Sequence, residues 1–180
     1  MTDQEFERFC LENENLRIER NSNLEIIIMS PVTTKSSFSS GAVFGQLYAW
    51  NLIAGTGYVF DSSTGFTLPD RSVFSPDASW VSKGKFNLLS EEDKDKFAPI
   101  CPEFVIEVRS KADYISDLQN KMKTWIKNGA ELAWLIDPRE QVSYIYRPGK
   151  FEEVINGFDR NLEGEGPISG FTLDLSKVNI

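Results

Sequence analysis

FVIEVR, residues 104–109, decides the fold. Phe104, Val105, Ile106 and Val108 surround Glu107, and Arg109 closes the run. Side chains on a strand alternate faces, so Phe104, Ile106 and Val108 share one face while Val105, Glu107 and Arg109 share the other. The first face is wholly apolar and is expected to pack beneath helices. The second carries a carboxylate and a guanidinium near the strand's end, so the expectation is a strand buried on one side only. Downstream, DLQNKMKTWIKNG (117–129) sets Leu118, Met122 and Trp125 on one helical stripe, with Gly129 as its C-terminal stop. AWLIDP (133–138) is a second apolar strand. Strand, helix, strand in this order is a βαβ unit, and its crossover makes the two strands parallel neighbours.

Outward from that unit the pattern is simpler. Phe6, Phe9, Cys10 and Leu11 give residues 2–13 a partial helical face. LEIIIMSP (24–31) reads as a strand stopped by Pro31, and residues 37–53 read as a helix with Val43, Leu47 and Trp50 on one side. GYVFDSSTGFTLPD (57–70) reads as two short strands around SSTG, with Ser62, Ser63 and Thr64 in a polar turn. PDASWVSK (76–83) enters a short strand, residues 86–100 read as a charged surface loop with room for a helical turn, VSYIYRPG (142–149) is a strand, and 150–180 is a short β excursion with a closing segment. Trp80 and Trp134 fall in strands and are expected in the core, and Asp137 at a strand's end is expected to form a turn. The expected class is α/β, or α+β with a mixed central sheet flanked by helices, in one domain over residues 1–180.

Composition narrows the chemistry. There is no histidine, which removes Ser-His-Asp and Cys-His catalysis, zincins, and nucleases with a histidine base. The two cysteines, Cys10 and Cys101, match no metal or redox spacing. Polar chemistry must rest on Asp, Glu, Lys, Arg, Tyr, Ser or Thr, and carboxylates select hard cations, so Mg²⁺ or Mn²⁺ is the metal class left open. The net charge of −8 argues against tight, non-specific binding of nucleic acid by the whole surface, without excluding a local basic groove. No apolar run reaches the roughly 18 residues of a membrane span, and the acidic start MTDQEFERFCLENEN lacks a secretory h-region, so a cytoplasmic protein is expected.

Three residues make a chemically complete set. Asp77 follows Pro76, which fixes its own φ and restricts Ser75, so the approach to the strand is stiff. Glu107 lies on the polar face of FVIEVR. Lys121 lies about 60° from Leu118 and about 40° from Trp125 around an ideal helix, at the stripe's edge, where a lysine buries its stem and extends its ammonium. Two carboxylates hold a divalent cation, which polarises a phosphoryl oxygen, and a lysine beside them orients water and stabilises charge on phosphorus. The bland alternatives are a solvated Glu107–Arg109 pair, a turn at Pro76-Asp77, and an i,i+4 pairing of Lys121 with Asp117.

The joint pattern of LRIER (16–20), IIIMSP (26–31), DSSTGFTLPD, SPDASWV, CPEFVIEVRS, DLQNKM, NGAELAWLIDP and YIYRPG resembles the Uma-type "putative restriction endonuclease" family, within the PD-(D/E)XK nuclease superfamily. The resemblance runs over most of the chain and implies a restriction-endonuclease-like fold and Mg²⁺- or Mn²⁺-dependent hydrolysis of DNA phosphodiesters, with a homodimer as a superfamily expectation. It maps the metal-binding Asp onto Asp77 and the second acid onto Glu107. The superfamily's usual lysine position holds Arg109, which cannot act as a base but can clamp a phosphate; the family's lysine comes from the next helix, here Lys121. A further N-terminal carboxylate completes such sites, Glu19 in RIER ahead of Glu25. A second reading keeps the fold without catalysis, as a binding or assembly module, motivated by the net charge and by Arg109.

Overall fold

A computed structural model describes residues 1–180. It opens with α1 (Asp3–Glu12), whose first turn is closed by a capping box between Thr2 and Glu5. Strands β1 (Arg17–Arg20) and β2 (Ile26–Met29) pair antiparallel, and α2 (Thr34–Ala54) follows, capped by Thr33 and ended by Gly55 at φ +62°. Next come β3 (Gly57–Asp61), β4 (Phe66–Thr67), β5 (Val73–Phe74) and β6 (Ala78–Ser82), then the short helices α3 (Lys83–Phe86) and α4 (Glu91–Lys94). The central unit is β7 (Phe104–Val108), α5 (Ile115–Lys127) and β8 (Leu132–Asp137). The chain closes with β9 (Val142–Tyr146), β10 (Glu153–Asn156), β11 (Asn161–Glu163) and β12 (Thr172–Asp174).

The main sheet has six strands in the order β10-β9-β8-β7-β6-β3. It is mixed: β7 and β8 run parallel, as the βαβ reading requires, and every other pair is antiparallel. Helices flank it, so the expected class holds. One face carries Phe104, Ile106, Trp134 and Ile136, covered by Val43 and Leu47 of α2 and by Phe171, Leu173 and Leu175 of the tail. The ring of Phe104 packs edge-on to Trp134, with centroids 4.9 Å apart. The other face carries Val105, Ala133 and Leu135, covered by Met122 and Trp125 of α5 and by Phe66 and Phe74. Trp80 and Trp134 are core residues; Trp80 Nε1 donates to Asn51 Oδ1 at 3.0 Å. Gly57 is required where it stands, because a Cβ there would meet the Trp80 ring at 2.3 Å.

Phe66 and Phe74 belong to a second sheet, of four strands in the order β2-β1-β5-β4, which the sequence reading did not anticipate. The two strands around SSTG do not pair with each other: β3 joins the main sheet and β4 the small one. The turn between them is local, with Asp61 accepting from the backbone N–H and hydroxyl of Ser63. The expectation of a half-exposed β7 also fails, since all five of its residues are buried, Glu107 included. The cover comes from α5 and the small sheet, which alternation within β7 does not reveal.

Candidate active site

The acidic centre lies where β6 enters the main sheet beside the end of β7. The antiparallel register pairs Ala78 with Ile106. One step further sets Asp77 opposite Glu107, on the face covered by α5. The ladder changes character there: the Val108 N–H is taken by Asp77 Oδ2 at 2.7 Å. Pro76 offers no backbone donor of its own and stiffens the turn that presents Asp77.

Lys121 arrives from α5, one position before the core residue Met122. Its Nζ stands 2.8 Å from Glu107 Oε1 and 2.9 Å from Glu19 Oε1, and 5.2 Å from the centre of the Phe74 ring. The edge-of-stripe reading is therefore met: the stem is buried and the ammonium reaches over the sheet. Trp125, one turn further on, donates its Nε1–H to Glu107 Oε1 at 3.2 Å.

Glu19 comes from β1 in the small sheet. Its Oε1 also accepts the Ser75 N–H at 2.8 Å, two residues before Asp77. Glu25 instead takes the side chain of Asn21 in an exposed turn at 2.7 Å. The structure thus gathers Asp77, Glu107, Lys121 and Glu19. Arg109 goes elsewhere: its Nη1 pairs with Asp137 Oδ2 at 2.6 Å and its Nε donates to Asp113 O at 3.3 Å. Asp137 does form the expected turn, accepting from the N–H groups of Arg139 and Glu140.

Four participants escaped the sequence reading. Trp125 was read only as core, and Ser75 and Phe74 carry no signal of their own. The fourth is Arg17, two residues before Glu19 on the same face of β1. Its Nη2 donates to Ser75 O at 3.3 Å, and its Nε is buried without a partner. Recognising RIER as a strand would have placed Arg17 beside Glu19.

Burial and crowding govern the charges. Glu107 is only 4% exposed, and desolvation pushes its pKa up to about 7; Lys121 opposes the rise, while Asp77 and Glu19 add to it. Desolvation also raises Asp77, against the pull of the Val108 N–H, Arg17 and Lys121. For Lys121 burial pulls the pKa down, but Glu107 and Glu19 more than offset it, and the ammonium is held above its ordinary range.

The donor set suits a hard cation. Asp77 Oδ2 is held by the Val108 N–H and Glu107 Oε1 by Trp125 and Lys121, and the Ser40 hydroxyl is a further hydrogen-bonding neighbour of Asp77. Two buried carboxylates, Glu19 and Glu107, and the half-buried Asp77 face two cations, Lys121 and Arg17, so the pocket is short of positive charge. No three acidic side chains converge into a closed cation cage, because Glu19 is engaged by Lys121 and Ser75. A pair of carboxylate oxygens is nonetheless enough for Mg²⁺, which keeps several waters and shares its coordination with substrate phosphates.

Similarity to known proteins agrees with the fold. The crystal structure of a "putative nuclease belonging to DUF820" from Anabaena variabilis superposes with a TM-score of 0.76, covering 89% of this chain and 88% of that one at 21% sequence identity. No curated protein matches this chain. No helix is long and apolar enough to cross a membrane. The sequence family described as "Uma2: Putative restriction endonuclease" matches residues 3–176, nearly the whole chain, and supports a nuclease function in general. The chain belongs to the Uma2 family of restriction-endonuclease-like proteins.

Proposed function

We propose that the protein is a metal-dependent endodeoxyribonuclease of the PD-(D/E)XK type. The observation that carries this reading is the cross-strand acidic pair Asp77–Glu107 with the Lys121 ammonium 2.8 Å from Glu107. Asp77 and Glu107 would hold Mg²⁺ or Mn²⁺, which when bound polarises a phosphoryl oxygen and lowers the pKa of water. The chain's own residues do the rest. Lys121, kept protonated by its two carboxylates, is a donor aimed into the pocket and stabilises negative charge growing on a phosphoryl oxygen. Glu19 fixes Lys121 and is itself fixed by the Ser75 N–H, so the ammonium is positioned before substrate arrives. Trp125 and Phe74 exclude water from one side of Glu107 and the ammonium. Arg109 serves the frame, tying the exit of β7 to the end of β8 through Asp137.

The test is cleavage of supercoiled plasmid and of single-stranded DNA with Mg²⁺, Mn²⁺ or EDTA, using wild type beside Glu107→Ala. Cutting that needs the metal and disappears in the variant is the expected result. A folded wild type that cuts neither substrate under any metal, while binding DNA, would replace the nuclease reading with a binding module of the same fold.

A further inference from the structure

A phosphodiester held over Asp77 and Glu107 needs a cation on its non-reacting oxygens, and Arg109 is already committed to Asp137 and Asp113. Arg17 is differently placed. It lies on the same face of β1 as Glu19, and its only acceptor is the Ser75 carbonyl, at 3.3 Å. That carbonyl belongs to the residue whose N–H holds Glu19, two positions before Asp77. The Arg17 guanidinium makes no close ion pair, unlike Arg20, Arg109 and Arg147. Its Nε is buried and unpartnered. A guanidinium carries five N–H donors in a planar fork; one goes to Ser75 and one is the buried Nε–H, so three terminal N–H groups remain for a ligand.

We propose that Arg17 is the phosphate-holding residue of this site, its guanidinium gripping a backbone phosphate of the bound strand beside Asp77 and Glu107. The proposal rests on nucleic acid being the substrate of the site. A neutral carbonyl orients the guanidinium without neutralising it, which leaves both the charge and the fork available for two parallel N–H···O bonds. The role is binding and positioning: Arg17 reads no base, so its contribution is independent of sequence.

The experiment is fluorescence anisotropy of labelled single-stranded and duplex oligonucleotides in Ca²⁺, from 50 to 200 mM salt, with wild type, Arg17→Gln and Arg17→Lys, and a thermal melt of each. Losing one phosphate contact lowers the slope of log affinity against log salt by about 0.9 for duplex or about 0.7 for single strands. Arg17→Gln is expected to show that drop and to bind at least about 10-fold more weakly, a factor typical of one lost charge-assisted contact. Arg17→Lys is expected to keep the slope and bind more weakly than wild type, since it keeps charge but not the fork. An unchanged slope in a folded Arg17→Gln overturns the proposal. So does an Arg17→Lys protein with wild-type affinity when Arg17→Gln fails to fold, because the residue would then serve the fold alone. A wild type that shows the Arg17-dependent slope yet cuts no DNA refutes the nuclease reading and leaves Arg17 in place. Cutting by Arg17→Gln at wild-type KM and kcat overturns Arg17 and leaves the nuclease.

Discussion

Replacing Lys121 with Met deletes one ammonium and strands two acids. The thioether occupies the path of the lysine stem, but nothing then stands 2.8 Å from Glu107 or 2.9 Å from Glu19. Both carboxylates are nearly closed to solvent, at 4% and 3% exposure, so water cannot replace the lost partner. Removing one member of a buried ion pair costs about 3–5 kcal/mol. The cost depends on pH, and its sign follows from Glu107. Its carboxyl is raised to about 7 in the folded chain from the ordinary 4.5, so between those values the folded state holds more protons than the unfolded one. Stability then falls as pH climbs through that window, by about 3 kcal/mol at 1.4 kcal/mol per unit. Without Lys121, the chief group holding Glu107 down, the window extends above pH 7. Lys121→Met is therefore expected to lose less near pH 5, where Glu107 is protonated, than at pH 8, where the loss is about 3–5 kcal/mol, a Tm drop of roughly 6–20 °C for a chain of this size. Paired urea and thermal melts in EDTA at pH 5, 6.5 and 8 measure this. A deficit under about 1 kcal/mol at pH 8, or one equal at both ends of the range, would show that Lys121 does not neutralise buried acids.

Further expectations concern the neighbours of that cluster. Glu107→Gln keeps an acceptor for Trp125 Nε1 but cannot ionise, so the fall in stability between pH 5 and 7 flattens by about 2 kcal/mol, and metal-dependent cleavage drops by more than about 100-fold; a pH–stability curve matching wild type would contradict the raised carboxyl. Arg109→Gln strands Asp137, which is 1% exposed, and costs about 1–3 kcal/mol in urea melts, yet leaves the salt slope of oligonucleotide binding unchanged. A lowered slope there would hand the phosphate back to Arg109. Phe104→Ala opens a cavity between Trp134 and Phe171 and costs about 3–5 kcal/mol, read by the same melts.

The βαβ unit was legible because β7, α5 and β8 each show their own periodicity and stand in the right order. Asp77 and Glu107 were legible from their motif, and Lys121 from its angle on the helix. What stayed hidden has a common cause. β1 is four residues long and β5 two, too short to display a period. The small sheet was therefore missed, and with it Arg17 and the cover over Glu107. The exposure of Ile26, Ile27 and Ile28 on β2 likewise belongs to a strand at a sheet edge, which sequence alternation does not report. The Arg109–Asp137 pair was within reach: the parallel register sets Val108 beside Ile136, so the next residues of the two strands are neighbours. Each was read alone, one as a phosphate clamp and the other as a turn.

The acidic centre draws Glu19 from the small sheet, Asp77 and Glu107 from the main sheet and Lys121 from the helix over it, and Lys121 and Glu19 are 102 residues apart in the chain. No single segment holds enough of the constellation to act. A partly folded chain carries the acids and the lysine but not their meeting point, so the site is complete only where the small sheet and the main sheet are docked. Loosening the small sheet from the main one would part Glu19 from Lys121, so the geometry of the acidic centre is only as durable as that junction.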